Sequence, residues 1–305
     1  MDNRYRIMTP NKLFIYAALM LSTAAGCSRE TPLHTESVTV DLHIGTDTKA
    51  DLPLTPDIEN LIYDIWVIQY NDKNILNPDY TRHYRADRDG QTSISLPVEL
   101  NTGEDNTICV VANLDRGNSS ASRSWHDNLE GYVSTLHDFT STIIAAETGN
   151  LEEMPMCGFW SGDITSETLS LNVSLSRVLT RINIVLNNET GNSVNNTISI
   201  SNIPVKAYLF PDVHIQESRI LPDNAYLAYP FSKEIEIEDG KTRELYYYCA
   251  PNLCSPDGSY EEPERAMKLT IGGKSIILSN SSPSAEYRDY NLYHNSNYTF
   301  TITLK

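Results

Sequence analysis

Strict alternation of apolar and polar residues is the feature that most limits how this chain can fold. Val38, Val40, Leu42 and Ile44 alternate with Thr39, Asp41 and His43. Successive side chains of a strand point to opposite faces, so the four aliphatic residues share one face and the polar ones meet water. Residues 61–70, Leu-Ile-Tyr-Asp-Ile-Trp-Val-Ile-Gln-Tyr, are rich in β-branched and aromatic side chains and run into Asn71-Asp72-Lys73-Asn74, which reads as a strand ended by a turn. Further strands are expected at 92–96, 107–113, 169–175, 181–186, 197–200, 207–210, 234–238, 244–249, 267–271, 275–278 and 298–304. Many short strands separated by Gly, Pro, Asn and Asp indicate a mostly all-β protein of β-sandwiches. One stretch, residues 125–148, has a helical period, with Leu129, Val133, Leu136 and Phe139 three to four apart, and reads as a short helical insertion. A fresh run of strands begins near Arg177, so two domains are expected, over residues 27–175 and 176–305.

The first 26 residues read as an export signal. Arg4, Arg6 and Lys12 precede the apolar residues 13–25, a run too short to span a bilayer. The segment Leu21-Ser22-Thr23-Ala24-Ala25-Gly26-Cys27 resembles a bacterial lipobox, in which Cys27 becomes the lipid-bearing first residue of the mature chain. An acylated cysteine ties a soluble domain to a membrane without a transmembrane helix. The alternative is an ordinary signal peptide with an incidental cysteine. The formal net charge of −17 argues against nucleic acid and anionic lipid as partners.

No constellation of nucleophile, base and stabiliser stands out, and neither a phosphate-cradling loop nor a dinucleotide fingerprint is present, so no enzymatic activity and no cofactor are expected. Asp87-Arg88-Asp89-Gly90 lacks the carboxylate spacing of a calcium loop and reads as a solvated turn. The pairs Glu152-Glu153 and Glu261-Glu262 read as exposed charge. The seven histidines are scattered, and no metal site is expected. Cys109 lies in an apolar run and reads as a buried thiol, whereas Cys249 and Cys254 are either a local disulfide or two free thiols. Eighteen tyrosines, among them Tyr246, Tyr247, Tyr248, Tyr226, Tyr229, Tyr287, Tyr290 and Tyr293, leave open a sugar-stacking platform in the C-terminal half. The competing account is strand residues that bury a ring and keep the hydroxyl wet.

The order of these landmarks resembles the Bacteroidetes fimbrillins, the subunits of type V pili. The resemblance rests on the lipobox, the first strand, residues 62–70, Met156-Cys157-Gly158, the stretch 175–184 with Arg177 and Arg181, the aromatic strand running into Ala250-Pro251-Asn252-Leu253, and the final strand from His294 to Leu304. It covers nearly the whole mature chain, with order and spacing carrying more weight than any single motif. It implies two transthyretin-like β-sandwich domains, an outer-membrane lipoprotein exposed at the cell surface, and assembly by donor-strand exchange. The removable first strand would carry Val38, Val40, Leu42 and Ile44, and trypsin-like cleavage would follow Lys49, a departure from the family's usual arginine. The donor strand would carry Tyr298, Phe300, Ile302 and Leu304; alternatively this segment is the ordinary closing strand of the second domain. The partners implied are other fimbrial subunits, the outer membrane through the lipid, and a host or bacterial surface receptor. Stalk, tip and anchor roles all stay open, as does a non-polymerising lipoprotein that binds glycan through its tyrosine-rich half.

Overall fold

The alternating residues 38–44 lie within β1 (Ser37–Thr46), whose apolar face is buried and whose polar face is exposed. The computed structural model describes residues 36–47, 57–85, 90–114, 134–145, 154–216, 221–227, 230–254, 263–280 and 288–305. After β1 come β2 (Asp64–Tyr70), β3 (Arg82–Arg85), β4 (Ser93–Asn101), β5 (Gly103–Ala112), helix α1 (Leu136–Thr140), β6 (Ile143–Ala145), β7 (Met156–Ile164) and β8 (Ser170–Arg177). The later elements are β9 (Thr180–Asn188), β10 (Val194–Ser201), β11 (Lys206–Tyr208), helix α2 (Pro211–Gln216), β12 (Phe231–Ile237), β13 (Thr242–Cys249), β14 (Lys268–Ile271), β15 (Lys274–Ile277) and β16 (Asn297–Leu304).

A seven-stranded sheet runs β3-β2-β5-β7-β8-β1-β4. Its β7 and β8 pair only at Met156 with Arg177 and Cys157 with Ser176. At this narrow joint the sheet turns, and β1, β4 and β8 bury their apolar faces against β2, β5 and β7 in one cluster that includes Leu42, Ile44, Val67, Val110 and Leu175. The turn is tight enough to demand a glycine: a Cβ on Gly158 would lie 2.2 Å from the Ser174 carbonyl oxygen. The later strands form two sheets, β12-β10-β14-β15 and β13-β9-β16, over a second cluster that includes Ile184, Ile198, Ile235, Leu269 and Leu292. A third cluster draws on both halves of the chain, with Trp66, Ile68, Tyr70, Cys109 and Phe139 meeting Leu209, Phe210 and Tyr248.

Several elements differ from the sequence expectation, each for a physical reason. Of residues 125–148, those from 125 to 133 and from 146 to 148 lie outside the described residues, and the remainder is helical only over Leu136–Thr140. Thr135 caps this helix by accepting the Asp138 N–H at 3.1 Å, and the β-branched pair Ile143-Ile144 then pairs as β6 with β11. Phe139 is inserted between the rings of Tyr70 and Phe210. β4 continues through Pro97, which is tolerated because β4 is the edge of its sheet. β7 is a strand the alternation did not mark, since Gly158 and Gly162 interrupt its pattern. Cys109, Cys157, Cys249 and Cys254 are free and buried, and burial pushes the thiols of Cys249 and Cys254 up to about 12.

The two halves are tied by a buried charge cluster. Glu59, in the short 3-10 turn Asp57–Asn60, accepts from Arg177 Nη1 at 2.5 Å, from Arg181 Nη1 at 3.2 Å and from the Tyr248 hydroxyl. Arg177 also donates through Nε to Asn295 Oδ1 at 3.0 Å, and the Arg181 guanidinium lies 5.0 Å from the Tyr246 ring centroid. Burial pushes the Glu59 carboxyl up and the Arg177 guanidinium down, while their mutual attraction opposes both shifts.

Two outcomes are expected. Gly158→Ala forces the new methyl against backbone and should cost about 1–3 kcal/mol, read as a lower urea midpoint at unchanged slope. Glu59→Gln leaves two buried guanidinium groups without their counter-charge and should cost about 3–5 kcal/mol, whereas Tyr248→Phe should cost about 1–2 kcal/mol in the same assay.

Candidate functional site

β1 is held on both sides. It pairs antiparallel with β4 from Ser37 opposite Asn101 to Gly45 opposite Ser93, and parallel with β8 from Asp41 opposite Ser170 to Thr46 opposite Leu175. Val40, Leu42 and Ile44 are 0–1% exposed, and Val38 is half-buried. Their neighbours across the ladder are Val98, Leu96 and Ile94 on β4 and Leu171 and Val173 on β8, so the strand closes an apolar trough. On the wet face Ser37 Oγ donates to Glu99 at 2.8 Å, and His43 Nδ1 lies 2.7 Å from Ser95 Oγ. The strand ends at Thr46, and the N–H of the following residue, Asp47, donates to the Leu175 carbonyl at 2.7 Å.

Among the described residues β16 is held on one side only. It pairs parallel with β9, Tyr298 opposite Ile182, Phe300 opposite Ile184 and Ile302 opposite Leu186, at the edge of its three-stranded sheet. Tyr298, Phe300, Ile302 and Leu304 face the second cluster, as their alternation requires, but each is only half-buried, and among the described residues no further strand covers that margin. Thr299, Thr301 and Thr303 point to solvent. In this chain β16 therefore occupies the position of a closing strand. The two strands carry the same pattern of four apolar residues at alternate positions, one in the interior of a sheet and one at an edge.

The sequence did not mark Glu59 or Asn295, which link these regions. Glu59 sits in a stretch without periodicity, and Asn295 near the start of the segment from His294 to Leu304 that reads as the final strand, where nothing in the pattern singles out either residue as a buried partner of Arg177. Cys27 and Lys49 lie outside the described residues, as do Tyr229, Tyr287, Asp87 to Asp89, Glu152-Glu153 and Glu261-Glu262. The remaining tyrosines do not assemble into a platform. Tyr247, Tyr248 and Tyr290 are buried, the Tyr226 hydroxyl donates to Asn252 at 3.1 Å, the Tyr293 hydroxyl donates to Asp289 at 2.8 Å, and Tyr246 is exposed. Among the described residues no group of three His, Cys, Asp or Glu is placed to hold a metal ion, and no helix is long and apolar enough to cross a membrane.

No protein-family model matches the chain, and no curated protein does. Solved structures do. The tip fimbrial protein Mfa3 from Porphyromonas gingivalis, with a C-terminal truncation, is similar at 14% identity over 88% of this chain and 96% of that one, with a TM-score of 0.60. A candidate cell adhesion protein from Parabacteroides distasonis is similar at 16% identity over 88% and 87%, with a TM-score of 0.59. A fimbrial assembly protein from the same species is similar at 15% identity over 87% and 91%, with a TM-score of 0.52. The chain shares the fold of Bacteroidetes fimbrial proteins, in agreement with the resemblance read from its sequence.

Proposed function

We propose that this protein is a structural or adhesive subunit of a surface fimbria, exported as a lipoprotein acylated at Cys27 and assembled by exchanging strands with other subunits. Residues 27–175 and 176–305 are read as its two domains, and its role as mechanical rather than catalytic. The observation that carries this reading is the contrast between β1 and β16: the same alternating apolar pattern sits in a fully paired trough at one end of the chain and on a half-exposed edge at the other.

The energetics favour a transfer in one direction. Val40, Leu42 and Ile44 are each worth roughly 1.5–3 kcal/mol of apolar burial, so β1 does not leave its trough spontaneously. A cut after Lys49 would make it a separate peptide whose loss is no longer opposed by chain connectivity. A strand equivalent to β16 arriving from a second subunit would gain two hydrogen-bonded neighbours where it had one, and full burial where it had half. Run in the direction of β1, Tyr298 would take the half-exposed slot of Val38, and Phe300, Ile302 and Leu304 those of Val40, Leu42 and Ile44. Ile302 and Leu304 are volume-conserving there, whereas Phe300 requires the Val40 slot to widen.

Limited trypsin digestion of the chain beginning at Ser28 tests the reading. The expected result is a new N-terminus at Ala50 followed by stable multimers on a sizing column, with multimers abolished by deletion of residues 297–305. Resistance at Lys49, or a cut product that stays monomeric, would overturn exchange and leave a retained-strand anchor subunit or a non-polymerising lipoprotein.

A further inference from the structure

Asn295 touches both ends of this system. It is 1% exposed and adopts a left-handed conformation, φ 49°, two residues before β16 begins. Its side-chain Nδ2 donates to the Asp47 carbonyl at 3.3 Å, across 248 residues of chain, at the point where β1 ends. Its Oδ1 accepts Arg177 Nε at 3.0 Å, and its backbone N–H donates to the Leu179 carbonyl at 3.0 Å. The following residue, Ser296, accepts the Arg181 N–H at 2.9 Å, so the entry into β16 is anchored to the same arginine pair that Glu59 holds. Asp47 in turn is seated by its N–H on Leu175, two residues before Arg177.

We propose that Asn295 is a latch that joins the C-terminal end of β1 and the entry into β16 in one cooperative unit. Asn295 then transmits the departure of β1. When Asp47 withdraws, the Asn295 amide loses an acceptor inside a buried site, where an unsatisfied donor is costly, and the turn that holds β16 to Arg177 and Leu179 loosens with it. The first strand thereby holds the last one in place, and a subunit that has kept β1 keeps its β16 at home. The significance for assembly rests on the function proposed above. The coupling itself does not, because it concerns two strands within one intact chain.

Native-state hydrogen exchange on the intact mature chain at low urea concentrations tests it. In the wild-type protein the amides of residues 45–47 and 297–300 are expected to open together, with one opening equilibrium and one urea slope. Asn295→Asp keeps an acceptor for Arg177 and tolerates the left-handed backbone, but turns an oxygen toward the Asp47 carbonyl. It is expected to speed exchange about tenfold in both windows while the amides of β14 and β15 keep their wild-type rates. Different urea slopes for the two windows in the wild-type protein would overturn the latch without any variant having to fold. Acceleration of residues 45–47 alone by Asn295→Asp would do the same. Multimer formation after trypsin is scored separately, so failure to polymerise and failure of the latch are distinct results.

Discussion

The arrangement of this protein depends on one buried carboxylate. Glu59 takes two guanidinium groups and a tyrosine hydroxyl, and those donors come from the end of β8, the start of β9 and the end of β13. Removing such charges from water is expensive, so the mutual attraction within the cluster largely offsets that cost instead of adding freely to stability. What the cluster constrains is the relative placement of the strands that supply its donors. A displaced β8 or β9 leaves an unpaired charge in a low-dielectric interior, whereas a slip in a purely aliphatic contact costs far less. Because Arg177 also reaches Asn295, the geometry set by Glu59 extends to the turn before the last strand.

The first and last strands are held unequally. A strand in the middle of a sheet has both of its hydrogen-bonding edges filled and both flanks covered, and its apolar residues become inaccessible. A strand at an edge satisfies one side with its neighbour and the other with water. β1 and β16 have the same binary pattern, yet Val40, Leu42 and Ile44 are sealed while Phe300, Ile302 and Leu304 are half-exposed. The strand exchange proposed above draws on this inequality, since exchange between two equally satisfied positions has no driving force.

Much of the strand content was legible because a period of two is enforced locally: adjacent side chains cannot point the same way in an extended backbone. That constraint located β1, β2, β5, β8, β9, β10, β13 and β16 to within a few residues. It missed β7, where close approach of Ser174 required Gly158 and spoiled the pattern, and it stopped β4 early at Pro97, since nothing local says that a strand will lie at an edge. Among the described residues 134–145 the helical period holds only over α1, because the β-branched pair at 143–144 is claimed by pairing with β11, more than sixty residues away. The tyrosines were ambiguous for the same reason: a ring is buried or presented according to which sheet face it falls on and what covers that face.

Alternation read along the chain is enough to place residues together on one side of each strand, to predict packed sheets, and to give 38–44 and 298–304 the same apolar pattern. These follow from local sterics and from the drive to remove aliphatic side chains from water. The position of β1 between β4 and β8, that of β16 at an edge, and the convergence of Glu59, Arg177, Arg181 and Asn295 emerge from the three-dimensional packing alone. Pairing partners far apart in the chain are selected by the joint packing of all the sheets, and a buried charge finds its counter-charges only once that packing is complete.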